Sequence, residues 1–297
     1  NSTWTVGGMN TNAPAKMVIK SGTTLDALVP SGNNTASYLY VQDTGTKGAI
    51  LEVRGGALTN WIGVGHATKS MGALYQYGGE VRNLCHAGYD GYVGRYANSY
   101  GYVDLMGGLL AMRGWWRFGG EPGAVGIMRM TGGNFKADNC MVLSFGGWGE
   151  LYMTGGTYNG GTYTHLGEQR YGTKGGEQDT IRGLLTLGGT GNPTFTITDY
   201  FSVCERTNTF FGAVNMNAGV LSTPVLRKSS WNQSLRDNEK ARAYINFGGG
   251  AWQAYAGNAN IFGSGVQKVN RVTVFPGGAT LDINGKASSN GAVPFEK

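Results

Sequence analysis

The stretch between Gly48 and Gly189 repeats one short phrase. It reads GAILEVRGG (48–56), GALYQYGG (72–79), GYVDLMGG (101–108), GIMRMTGG (126–133), GELYMTGG (149–156) and the shorter GLLTLGG (183–189). The Gly pairs begin at 55, 78, 107, 132, 155 and 188, so the step is 23 to 33 residues. A period of this size, with no helical pattern between copies, is the signature of a solenoid: each repeat covers its neighbours' apolar edges.

Within one copy the side chains alternate. In GELYMTGG, Leu151 and Met153 face one way, and Glu150, Tyr152 and Thr154 face the other. The same offset from the Gly pair turns Val103, Leu105, Met128 and Met130 inward. GALYQYGG puts Leu74 and Gln76 there, and Gln76 breaks the apolar rule once. Stacked coils about 4.8 Å apart would pile these residues into ladders, with Gly at the corners where a positive φ or a close backbone approach is needed. A second strand precedes several copies: NWIGVG (60–65), GYVGRY (91–96), RFGG (117–120), VLSFGG (142–147) and THLGEQ (164–169). The expected fold is all-β, a right-handed parallel β-helix with two or three short strands per coil.

The chain reads as a single domain. Residues 1–47 form a cap region, 48–189 the regular repeats and 190–297 an irregular continuation. Strand-like runs persist in that last third, at 194–203, 209–221, 242–257 and 271–285. The segment 229–245 is the one candidate helix, or else a long loop leaving the stack.

Composition narrows the function classes. Gly is 53 of 297 residues, over twice its usual share, yet it does not recur every third position, which excludes collagen. Aromatics at 11% exclude a disordered Gly-rich linker. Charged residues are only 14%, and a surface of Gly, Thr, Ser, Asn and Tyr suits an extracellular or cell-surface protein. The net charge of +6 is scattered. Its densest group, Arg227, Lys228, Arg236, Lys240 and Arg242, is interrupted by Asp237 and Glu239, so no nucleic-acid footprint is expected. No apolar run approaches the ~20 residues that span a bilayer, so no membrane insertion is expected.

Three cysteines, Cys85, Cys140 and Cys204, lie in strand-like surroundings and are expected as buried thiols, although one pair could bridge neighbouring coils. His66, His86 and His165 show no ligand spacing, and no phosphate-binding loop or nucleophile elbow occurs. No metal and no cofactor is expected.

Two constellations stand out. Asp104 and Arg129 lie three before their Gly pairs, as does Tyr152, which makes one outward row of acid, base and aromatic. If the chain cleaves polysaccharide, the carboxylates to consider are Asp104, Glu150 and Asp179. The same row reads equally well as a cross-strand ion pair on a solvated face. The second constellation is aromatic: Trp115, Trp116 and Tyr152 as binding residues, with Tyr96, Tyr100, Tyr102 and Trp148 near them in sequence. Flat exposed rings suit sugars, and stacked core rings are the competing explanation. Adjacent Trp115 and Trp116 cannot both face inward in a regular strand.

The ending VTVFPGGATLDINGKA (272–287), with NMNAGVL (215–221) and TGGTYNGG (154–161), resembles the autotransporter-associated β-strand repeat proteins. The resemblance covers the last third well and the middle loosely. It implies a secreted or surface-exposed β-helical passenger with an adhesive or scaffold role, and it carries over no catalytic residue. The expected function is therefore an extracellular structural or adhesive module that associates with itself, end to end or laterally, and with surface polysaccharide. The alternative is a polysaccharide lyase or glycoside hydrolase on the same fold.

Overall fold

The computed structural model describes residues 3–7, 13–26, 38–44, 47–83, 90–168, 182–205, 211–228, 241–256, 261–285 and 295–296. One coil shows the plan. Strand β10 (Tyr100–Leu105) ends at the Gly107–Gly108 corner, β11 (Leu109–Met112) forms a second side, β12 (Trp115–Phe118) a third, and a turn leads into β13 (Val125–Met130) directly above β10. Three sides and a rise of one strand make a parallel β-solenoid.

The first face is an 11-stranded sheet. It stacks β2 (Ala15–Ile19), β5 (Ala49–Val53), β7 (Met71–Gln76), β10, β13, β16 (Trp148–Met153), β19 (Arg182–Leu187), β22 (Phe211–Met216), β25 (Arg242–Phe247), β27 (Arg271–Val274) and β29 (Phe295–Glu296). The second and third faces merge into one 18-stranded sheet because β6 (Ala57–Val64) runs through both. The second face holds β3 (Thr24–Asp26), β8 (Glu80–Asn83), β11, β14 (Asn134–Ala137), β17 (Thr157–Gly160), β20 (Thr194–Ile197), β23 (Val220–Thr223), β26 (Ala251–Ala254) and β28 (Thr280–Asp282). The third holds β1 (Thr3–Val6), β4 (Tyr38–Val41), β9 (Gly91–Val93), β12, β15 (Cys140–Leu143), β18 (Tyr163–Leu166), β21 (Tyr200–Ser202) and β24 (Leu226–Arg227). Every pairing between these strands is parallel.

The repeat phrase is the first face. Val103, Met128 and Leu151 share one register, Leu105, Met130 and Met153 the next, and all are fully buried. Gln76 sits in the second of these rows between Val53 and Leu105, also fully buried, and its amide nitrogen donates to the Leu109 carbonyl at 2.9 Å. On the second face Phe135, Tyr158 and Phe195 occupy one inward row, with Tyr158 and Phe195 stacked at 4.2 Å between centroids. Rings in register gain about 1 kcal/mol per contact beyond their burial.

The corners explain the glycines. The second Gly of the pairs at 108, 133 and 156 has φ of +79°, +74° and +80°, a region that costs other residues roughly 1–2 kcal/mol. The leading Gly of the phrases after the first has another task. Gly72, Gly101, Gly126, Gly149 and Gly183, with Gly212 beyond them, stack in one inward register opposite Ala49, and the backbone at the end of the preceding third-face strand packs directly against them.

The expected two or three strands per coil resolve to three, the second face running just after each Gly pair and the second-strand segments lying on the third. One expectation is revised. Within 229–245, the residues 229–240 lie outside the described ones, but Arg242–Phe247 is a strand paired with β22, not helix. Alanine, tyrosine and isoleucine at 243–245 continue the inward–outward alternation of the first face, which a helix would break. The coils of the last third follow the same plan as far as β24; the next coil has β25 and β26 but, among the described residues, a 3-10 turn at Gly265–Gln267 in place of a third-face strand before β27 and β28.

Candidate functional site

The outer side of the first face carries the Asp104 row, and its register is Glu52, Tyr75, Asp104, Arg129, Tyr152, Thr186. The parallel outward row reads Ile50, Ala73, Tyr102, Ile127, Glu150, Leu184. A third column, at the strand starts, reads Met71, Tyr100, Val125, Trp148, Arg182, Phe211. Among exposed large apolar or aromatic residues, Val18, Tyr100, Trp148, Tyr152 and Phe211 all project from this sheet.

A groove of about 600 Å³ opens in this surface. Its lining includes Lys47, Ala49, Ile50, Ala73, Tyr75, Tyr100, Tyr102, Asp104 and Arg129. The depression follows from side-chain size: Ala73 stands between Ile50 and Tyr102 in its row, and Tyr75 and Tyr102 rise on either side, 5.9 Å apart at their centroids. This volume lies within the range of about 300–1,000 Å³ usual for small-molecule sites.

Asp104 is the acidic group of the groove and is only 6% exposed. Its Oδ2 accepts the Tyr102 hydroxyl at 3.2 Å and lies 3.9 Å from an Arg129 nitrogen. Its Oδ1 is buried and has no hydrogen-bond partner. Arg129 itself is half-exposed and also lines the groove. Burial, then the charge of Asp104, pushes the Tyr102 phenol up to about 12. It therefore stays protonated at neutral pH and is a donor rather than a base. Tyr100 is raised as well, by burial and by the nearby Tyr75 and Glu150.

The remaining sequence candidates separate. Glu150 stands two rungs from Asp104, in the neighbouring outward row, and is not in the groove lining. Asp179 lies outside the described residues. Tyr152 is exposed next to Arg129 on the outer face. Trp115 points outward on the third face, partly covered, with the Arg117 guanidinium over its ring at 5.0 Å. Trp116 is corrected: it is 1% exposed, wedged against Phe118 and Phe135 in the core, and is closed to a ligand. Two further acidic residues outside the groove are ion-paired: Asp90 with Arg117 at 2.8 Å and Asp138 with Lys136 at 2.8 Å.

The third face carries a second layer outside the coil. His66 stacks on Tyr40 at 4.3 Å, and Arg95 lies over the rings of Tyr92 and Tyr96 at 4.5 and 4.6 Å. Further along, Cys140, Val142 and Phe145 make a small separate cluster. Buried His165 lies 3.5 Å from a Glu205 oxygen that also accepts the Ser202 hydroxyl at 2.5 Å. Cys140 and Cys204 are free buried thiols, and Cys204 belongs to the main core. Cys85 and His86 lie outside the described residues. Among the described residues no group of three His, Cys, Asp or Glu is placed to hold a metal, and no helix is long and apolar enough to cross a membrane.

Sequence reasoning found Asp104, Arg129, Tyr100 and Tyr102 but missed Tyr75 and Lys47. Tyr75 was available, because it too lies three before its Gly pair. The second layer on the third face had no such signal, since it joins strand residues such as Tyr40 and Tyr92 to turn residues such as His66, Arg95 and Tyr96. Comparison with protein-family models, with curated proteins and with solved structures gave no match.

Proposed function

We propose that this chain is an extracellular or cell-surface adhesive β-solenoid, which holds polysaccharide on the outer side of its first face and associates with its own copies as a scaffold. The observation that carries this reading is the alignment of Tyr75, Tyr100, Tyr102, Trp148 and Tyr152 on one regular sheet beside an open groove. Sugar rings present apolar C–H faces to aromatic side chains and hydroxyls to charged ones, and this surface offers both. A rigid parallel stack keeps those rings at fixed spacing, which suits a repeating polymer. The resemblance of the C-terminal third to autotransporter-associated repeats agrees with a surface location.

The cleavage alternative is weaker. Glycoside hydrolysis uses two carboxyl groups within about 5–9.5 Å across the scissile bond. Asp104 is the only carboxylate among the described groove-lining residues. The phenol beside it, Tyr102, is held protonated and is a poor base for a lyase.

The test is co-sedimentation of the purified chain with a panel of insoluble neutral and acidic polysaccharides, with reducing ends and unsaturated products monitored in the supernatant. Retention that falls in a Trp148→Ala, Tyr152→Ala double variant, without product release, is the expected result. Product formation would turn the reading to an enzyme. Sedimentation velocity over a concentration series tests the self-association, and a single monomer species throughout would remove that part.

A further inference from the structure

We infer that the groove of the first face is a subsite for one neutral pyranose ring, with Asp104 as the residue that reads its hydroxyls. This rests on the polysaccharide-binding reading and assigns it a place, a chemistry and a preference.

The argument starts from the orphan oxygen. A carboxylate oxygen buried without a donor is costly, and native structures rarely leave one so. Asp104 Oδ1 is buried and unpartnered, while Oδ2 is occupied by Tyr102 and faces Arg129. The carboxylate lines the open groove but Oδ1 is turned away from it, so a rotation about the Cβ–Cγ bond is what brings the orphan oxygen to a donor arriving there. A sugar hydroxyl is such a donor. Arg129, half-exposed and only loosely paired, supplies a donor for the adjacent hydroxyl oxygen. A carboxylate and a guanidinium side by side match two neighbouring hydroxyls, one donating and one accepting.

The shape agrees with a ring rather than an ion. Tyr75, Tyr100 and Tyr102 form the walls, and Ala49 and Ala73 leave the space between them. The tyrosine faces meet the C–H side of a pyranose, and the floor of small residues sets the depth. Charge selects among sugars. A uronate placed with its hydroxyls on Asp104 would bring a second carboxylate beside the first, and Glu150 adds a further negative charge near Tyr100. Lys47 also lines the groove, and the uronan arm of the experiment below reads whether its charge and that of Arg129 outweigh the carboxylates.

The experiment is titration calorimetry of the full chain with soluble hexasaccharides of neutral hexans and of uronans, repeated with Asp104→Ala, Tyr75→Ala and Trp148→Ala. The expected result is binding of at least one neutral oligosaccharide, weakened tenfold or more by Asp104→Ala and by Tyr75→Ala, with a smaller loss in Trp148→Ala. Circular dichroism of each variant establishes that it is folded. Tyr102→Phe, which keeps the ring and removes one donor to Asp104, is expected to retain binding within a few-fold. Preference for uronans overturns the ligand class. Neutral binding that survives Asp104→Ala but is lost in Trp148→Ala overturns the groove while leaving the face as the polysaccharide surface. Absence of binding to every oligosaccharide and every insoluble polymer overturns both.

Discussion

Arg95 donates to the Nε2 of His66 across 2.5 Å. Only a neutral imidazole offers a lone pair there, so the proton must sit on Nδ1. Burial, and then the guanidinium charge, lowers the His66 pKa to about 3. His165 is the opposite case. Burial alone would lower it, but the hydrogen bond to Cys140 and the Glu205 carboxylate outweigh that and hold it well above its ordinary value.

These two histidines bracket the pH range of greatest stability. His66 titrates at 6.5 when unfolded and about 3 when folded, so its contribution is present above pH 6.5 and is lost progressively as pH falls toward 3. The folded pKa of His165 lies above its ordinary 6.5, so its contribution is full below pH 6.5 and is lost as pH rises through the alkaline range. A thermal-melt series from pH 4 to 10 is expected to peak near neutrality. His66→Gln flattens the acid limb and His165→Gln the alkaline limb. A variant that flattens the other limb would refute the assignment.

The inner ladders of the first face were legible because one offset, counted back from each Gly pair, fixes the alternation. That count has a limit. In GLLTLGG no residue separates Leu187 from Gly188, whereas Thr154 separates Met153 from Gly155. Counting from the pair would put Leu185 in the Tyr152 row, yet the register matches Leu185 to Leu151 and buries it. The leading Gly is the better anchor, since Gly149 and Gly183 are true partners. The groove was half legible: Asp104 and Arg129 follow from the count, but its depth comes from Ala73 in a row that also holds Tyr102 and Ile50, visible only once the outward registers are known. Trp116 could not be assigned by alternation alone, because either member of the Trp pair could have been the inward one.

The leading glycines predict a steep cost. A Cβ on residue 126 would lie 2.1 Å from the Val93 carbonyl oxygen, and that oxygen accepts the Gly119 amide. The obstacle is backbone and cannot swing aside. Gly126→Ala is expected to lower stability by about 3 kcal/mol or more, at or above the top of the usual overpacking range. An equally conservative change at an outward site of the same strand, Ile127→Val, is expected to stay within about 0.5 kcal/mol. Urea denaturation of the pair checks this, and equal midpoints would refute the close packing.

Ser144 offers a subtler test. It occupies the corner position that Gly94 and Gly119 fill in earlier coils, with φ +75°. Its hydroxyl donates to the Gly147 carbonyl at 2.5 Å, which offsets part of the strain. Ser144→Ala keeps the strain and loses the bond, for an expected loss of about 1 kcal/mol. Ser144→Gly loses the same bond but relieves a left-handed conformation worth roughly 1–2 kcal/mol. Glycine is therefore expected to melt at or above the parent and alanine below it. The reverse order would show that the hydroxyl, not the backbone, sets stability at this corner.

Gln76 is the one polar residue in its inward row through β13, and its role divides along the same lines. Its amide nitrogen has two carbonyl acceptors, at Gly79 and Leu109, while its Oε1 is buried without a partner. A buried orphan acceptor costs about 1–3 kcal/mol, and each retained neutral hydrogen bond contributes about 0.5–1.5. Leucine in its place would continue the row between Val53 and Leu105, adding apolar contact on both sides. Gln76→Leu is expected to raise stability by about 1 kcal/mol, the removed orphan and added burial outweighing the two lost bonds. Gln76→Ala loses both bonds and leaves a void, so it is expected to lower stability by about 2 kcal/mol. Chemical denaturation with matched slopes measures both. Destabilisation by leucine as large as by alanine would mean that the Leu109 carbonyl depends on the glutamine, and that the polar break in the ladder is required by its neighbours.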